Sequence, residues 1–106
     1  MYTLCGDVKT RNVFLNGNLL DPKKSQDICN HSPDGFSWGY LGSGPSQLAL
    51  SVLLEIESKE FASNYYHLFK EVVISKLPFN ESFEITIDYE TFLKEVARYV
   101  THYSGQ

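Results

Sequence analysis

The sequence predicts an α+β domain: a small N-terminal antiparallel sheet with a hairpin, three helices packed on it, and one late strand. Three observations carry this. Asn16-Gly17 sits between apolar runs, which is the strongest short hairpin signal because both residues tolerate positive φ. Two long segments then repeat apolar residues at helical spacing. Phe83-Glu84-Ile85-Thr86-Ile87 finally alternates apolar and polar side chains, as a half-buried strand does. At 106 residues the chain suits one domain, 1–106, with a modest core.

In chain order, residues 2–5 and 11–15 read as strands separated by the turn at Gly6-Asp7. Residues 18–20 return from the hairpin, and Asp21-Pro22 ends that strand. Residues 25–29 read as a further extended piece. His31-Ser32-Pro33-Asp34-Gly35 is turn chemistry, since Pro presets φ and Gly accepts positive φ. Phe36, Trp38 and Tyr40 then alternate with Ser37 and Gly39. A strand there would turn the aromatics to one face and leave a bare Ser/Gly face, open to another backbone or a ligand.

Gly42-Ser43-Gly44-Pro45 opens the first long helix. With Pro45 at the first helical position, Gly44 is the N-cap and Gln47 can reach back as in a capping box. Leu48 to Ile56 are apolar nearly all round, which marks this helix as the central buried one. Ser58 caps the next helix, which carries Phe61, Tyr65, Leu68, Phe69, Val72 and Val73 and stops at Leu77-Pro78. Asp88 caps the last, with the stripe Phe92, Leu93, Val96, Tyr99, Val100, Tyr103. Ser104-Gly105-Gln106 reads as a frayed end.

Composition narrows the function. The net charge of −4 and the scattering of nine basic residues argue against a nucleic-acid partner. No apolar run is long enough to cross a membrane, and the N-terminus lacks the pattern of a signal peptide. Cys5 and Cys29 read as buried reduced thiols, so the expected compartment is cytoplasmic. The three His lie in different elements without metal-ligand spacing, so no metal or cofactor is expected.

Residues 30–50 hold the only Trp and four of the seven Gly. A glycine-rich turn that feeds a helix N-terminus presents free N–H groups and the positive end of the dipole. It lacks the Lys of a phosphate-binding P-loop and the spacing of a dinucleotide fold. The candidate ligand-binding residues are His31, Asp34, Ser43, Gly44, Ser46 and Gln47, with Trp38 and Tyr40 as stacking surfaces. The same residues also suit a plain structural corner, with Ser43 and Gln47 capping the helix and Trp38 in the core. His31, Asp34, Ser43, Ser46 and Gln47 are expected to be exposed. Cys29, His31 and Asp34 are the one grouping that resembles a nucleophile, base and orienter.

The run Asn30 to Phe36, then Trp38-Gly39-Tyr40, Gly42-Ser43-Gly44-Pro45 and Gln47-Leu48-Ala49-Leu50, resembles the signature of domain-of-unknown-function family 6166. Tyr2, Gly6, Arg11, Leu20-Asp21-Pro22, Tyr66, Phe69-Lys70 and Leu77-Pro78 extend the likeness over most of 2–78, while the last strand and helix depart from it. The resemblance implies a phage or other bacterial mobile-element setting, hence the cytoplasm of a bacterial host. It brings no catalytic residue. The expected role is a non-enzymatic binding protein that sequesters a phosphate-containing, nucleotide-derived defence signal at the corner. The alternative is an inhibitor that docks on a host defence protein or nuclease, and the third is a Cys/His enzyme. A homodimer is compatible with this composition.

Overall fold

The computed structural model describes residues 1–104. It contains β1 (Tyr2–Gly6), β2 (Val13–Leu15), β3 (Asn18–Leu19), α1 (Pro22–Gln26), α2 (Ser43–Ile56), α3 (Lys59–Val72), β4 (Phe83–Ile87) and α4 (Tyr89–Ser104). The strands form one antiparallel sheet in the order β3-β2-β1-β4, so the late strand closes back on the first. This is the α+β architecture expected, with a fourth, short helix added. The frayed end expected at residues 105–106 lies outside the described residues.

Local chemistry accounts for each boundary. Asn16 and Gly17 take φ of 51° and 82°, the type I′ geometry that matches strand twist. Ser58 Oγ accepts from Phe61 N, and Asp88 Oδ1 accepts from Thr91 N, so both expected caps are made. Strand β4 occupies residues 83–87 as the alternation predicts.

Helix α3 ends at Val72, with a single 3-10 turn at Ile74–Lys76 before the expected stop at Leu77-Pro78, and two further segments depart from expectation. Residues 25–29 are not extended. Asp21 accepts from Lys23 N and Pro22 takes the first helical position, which starts α1. The Asp-Pro pair that ends a strand is equally an N-cap followed by its preferred first residue. Residues 36–40 are not a strand either. Gly35 and Gly39 adopt φ of 107° and 85°, which breaks a pleat. The period of two survives only in part: Phe36 and Trp38 are buried, and Tyr40 is exposed.

Helix α2 is the central element. Leu48, Ala49, Leu50, Val52 and Leu53 are fully enclosed, against Leu4 and Val13 of the sheet and Ala62 and Phe69 of α3 within one core. Phe69 meets Phe92 edge to face at 5.0 Å, which seats α4 on α3. Tyr89 Oη donates to the Glu57 carboxylate at the end of α2. Burial and that carboxylate hold the Tyr89 phenol far above its ordinary range.

The glycine face does let another backbone approach. Gly39 N donates to Ile74 O at 3.0 Å, and a Cβ on Gly39 would lie 2.6 Å from Phe79 Cα and 2.8 Å from Leu77 O. Gly39→Ala is therefore expected to cost roughly 3 kcal/mol, from positive φ plus backbone overlap. Gly17→Ala, at a similar φ but in open space, is expected to cost only about 1 kcal/mol. Urea denaturation of both variants checks the order.

Candidate functional site

The corner is built around Gln47, which lies one turn into α2 and is fully buried. Its Oε1 accepts from His31 N at 2.7 Å and Ser32 N at 2.9 Å. Its Nε2 donates to Ser25 Oγ at 2.9 Å and Cys29 O at 3.1 Å. The amide thus meets its own hydrogen-bonding capacity and that of four groups on α1 and the following loop. It does not form the expected capping box, because α2 starts earlier. Gly42 is the N-cap without a side-chain cap bond, Ser43 and Gly44 follow, and Pro45 is third.

The expected exposures change accordingly. Gln47 and Ser46 are buried, and Ser46 Oγ donates back to Gly42 O at 2.9 Å. Gly44 is packed so closely on Ser37 that any Cβ would collide with its Oγ. Trp38 has no exposed surface, and its Nε1 donates to Glu81 O at 2.8 Å. His31 is half-buried, while Asp34, Ser43 and Tyr40 are exposed. Asp34 lines a shallow hollow with Asp21, Lys23 and Gln26.

Cys29, His31 and Asp34 do not assemble as a triad. Among the described residues no hydrogen bond joins Asp34 to His31. His31 Nε2 instead lies 2.7 Å from Tyr66 Oη, and its ring meets His67 at 6.0 Å. Both cysteines are free, and neither is buried as expected: Cys5 is half-buried and Cys29 is exposed. Burial, then the neighbouring Cys29, push the Tyr66 phenol up. Partial desolvation, then Lys70 and His31, push the imidazole of the exposed His67 down. Among the described residues no group of three or more His, Cys, Asp or Glu is placed to hold a metal ion. No described helix is long and apolar enough to cross a membrane.

A second grouping lies on the far side of the corner. Tyr40 Oη bonds Ser37 Oγ at 2.7 Å, and its ring meets Phe79 edge to face at 5.8 Å. Tyr40, Leu41 and Phe79 are 40%, 65% and 66% exposed. Leu41 opens onto a hollow of about 450 Å³ with Val72, Ser75 and Lys76. Of these residues only Tyr40 is conspicuous in the sequence. Leu41 and Phe79 carry no motif; Phe79 becomes notable once the chain folds it onto Tyr40, and Leu41 once it opens onto the hollow beside Val72.

A protein-family model matches residues 6–98. The chain belongs to the family of unknown function DUF6166. The match to DUF6166 spans the hairpin, the corner, β4 and most of α4, so the last strand and helix fall within the family too. No curated protein and no solved structure matches the chain.

Two outcomes follow for this DUF6166 corner. Gln47→Leu takes this partner from the part-buried His31 and Ser32 N–H groups and the Cys29 carbonyl, while Ser25 Oγ keeps its bond to Pro22 O, and is expected to cost on the order of 3 kcal/mol. Equilibrium unfolding measures it. The depressed His67 means that the unfolded chain takes up this proton first. Its stabilising share is complete above the ordinary value of 6.5 and is lost as pH falls below it. His67→Gln is expected to flatten the fall in stability between about pH 8 and about pH 5.5, measured by urea unfolding.

Proposed function

We propose that this DUF6166 chain is a non-enzymatic binding module that docks a protein partner on the Tyr40–Leu41–Phe79 surface. The observation that carries the reading is the exposed Tyr40–Phe79 ring pair on a rigid support, with exposed Leu41 following Tyr40 in the chain. Ordinary surfaces scatter such residues singly, whereas a contiguous patch marks an interaction site. The support is rigid because Gly39 is locked against Leu77 and Phe79, and Trp38 is anchored to Glu81. A preordered aromatic loses little entropy on binding, which is why Tyr is common among interface hot spots. The partner that fits is a protein presenting an apolar ridge of low charge, since the adjoining hollow is bordered by one acid, Glu71, and one base, Lys76.

In the mobile-element setting that the family resemblance implies, such a module would work as a stoichiometric inhibitor of a host defence enzyme in the bacterial cytoplasm. The geometry favours this over sequestration of a nucleotide-derived signal. Of the polar groups such a ligand would use, Gln47 and Ser46 are engaged within the protein, and the Trp is enclosed.

The test pairs two measurements. Leu41→Glu with Phe79→Glu is expected to abolish co-purification of a stoichiometric partner from host cells while the melting temperature changes little, since both side chains are largely exposed. A panel of cyclic and ADP-ribose-type nucleotides is expected to leave the melting temperature unchanged. A nucleotide-induced rise, retained in the double variant, overturns the proposal in favour of sequestration.

A further inference from the structure

Strand β4 is an edge strand of unusual character. The opposite edge, β3, is only two residues long, which leaves little to pair with. Strand β4 has five residues, all β-formers except Glu84, and carries neither Lys nor Pro to discourage pairing.

The register identifies which backbone groups face outward. Thr3 O accepts from Asn16 N, and Asp7 bonds to Asn12 and Arg11, so odd-numbered residues of β1 and its extension face β2. Antiparallel ladders alternate, so Tyr2, Leu4 and Gly6 face β4 and bond to Ile87, Ile85 and Phe83. The N–H and C=O groups of Glu84 and Thr86 then point away from the sheet. Beside them lies a largely apolar groove of about 380 Å³ between the end of α3 and the start of α4, floored by Ile85 and Ile87.

We propose that β4 pairs antiparallel with β4 of a second copy of this chain, about a two-fold axis at Ile85. The strand's outward groups are self-complementary in an antiparallel pair, and charge selects the register. Centring on Ile85 sets Glu84 opposite Thr86 of the partner and Phe83 opposite Ile87. Centring on Glu84 would place two carboxylates face to face. Centring on Thr86 would place Glu84 opposite Asp88. Only the Ile85-centred register joins the outward-facing groups with no acid opposite an acid. Each Glu84–Thr86 pair then exchanges two backbone hydrogen bonds, and the Ile85 side chains meet at a non-hydrogen-bonded position, where Cα atoms approach to about 4.5 Å. Two four-stranded sheets become one continuous sheet, and the exposed edge disappears. The pairing is independent of the Tyr40–Leu41–Phe79 reading.

Light scattering on the eluting full chain is expected to give twice the 12.1 kDa of one chain, falling toward the monomer on dilution. Thr86→Pro removes an outward N–H that no hydrogen bond among the described residues uses. It is expected to give the monomer mass with an unchanged far-ultraviolet spectrum. In a Cys5→Ala, Cys29→Ala background, Ile85→Cys is expected to cross-link to itself on oxidation, because directly opposed Cβ atoms suit a disulfide. Thr86→Cys, which faces Glu84 rather than itself, is expected not to. A monomer at every concentration with no 85–85 link overturns the proposal. So does a dimer that survives Thr86→Pro without that link, which would place the contact elsewhere.

Discussion

The fold depends on one buried amide. Gln47 sits inside the first long helix with none of its surface exposed, and a primary amide there costs several kcal/mol unless its partners are all present. They are present, and they come from α1 and the loop that follows it: Ser25, Cys29, His31 and Ser32. A single side chain thereby ties a short helix, an irregular loop and the central helix together. This explains how α1, only five residues long and too short to hold itself, is ordered at all. It also explains why Gln47, one turn into α2, is enclosed while Ser43 at its start stays exposed.

A second clamp, around Trp38, passes the corner's rigidity to the sheet. The indole donates to Glu81 O and packs edge to face on Phe83 at 4.9 Å. Arg11 lies over the ring, 5.2 Å from its centroid, and reaches Asn80 Oδ1 at 3.2 Å. Arg11 and Asn80 both hold positive φ, so the two turns that meet over the Trp are conformationally unusual together. The indole's payload is thus spent on positioning the lead into β4. The same contacts that bury Trp38 leave Tyr40, two residues on, turned outward.

Legibility in the sequence followed the range of each interaction. The hairpin at Asn16-Gly17, the caps at Ser58 and Asp88 and the strand 83–87 are set by neighbours within a few residues, and pattern reading finds them. Gln47 was legible as a special residue but not in its role. Three positions after a glycine it looks like a capping partner, and nothing local reveals that its bonds cross to residues 15 to 22 positions away. Tyr66 stands out in the sequence only through the family likeness, although Ala62, Tyr66 and Phe69 keep helical spacing and are the buried residues of α3. Its bond to His31 is long-range and could not be read. The Tyr40–Leu41–Phe79 surface is likewise invisible until Gly39 is placed on the backbone of Phe79.

What remains is a contrast between an over-determined interior and two uneconomical surfaces. No buried side-chain polar atom among the described residues lacks a hydrogen-bond partner, so the inside satisfies its chemistry. The outside does not hide its apolar groups where it easily could. At about 25 cal/mol per Å², leaving Leu41 and Phe79 in water forgoes stabilisation that a polar residue at either position would not be asked to supply. A chain this small has little stability to spare. Exposed apolar side chains on a rigid frame are therefore more economically read as groups that meet a partner than as unused core. The same logic reaches β4, where an unprotected edge is a liability in a lone monomer and an asset in a paired one.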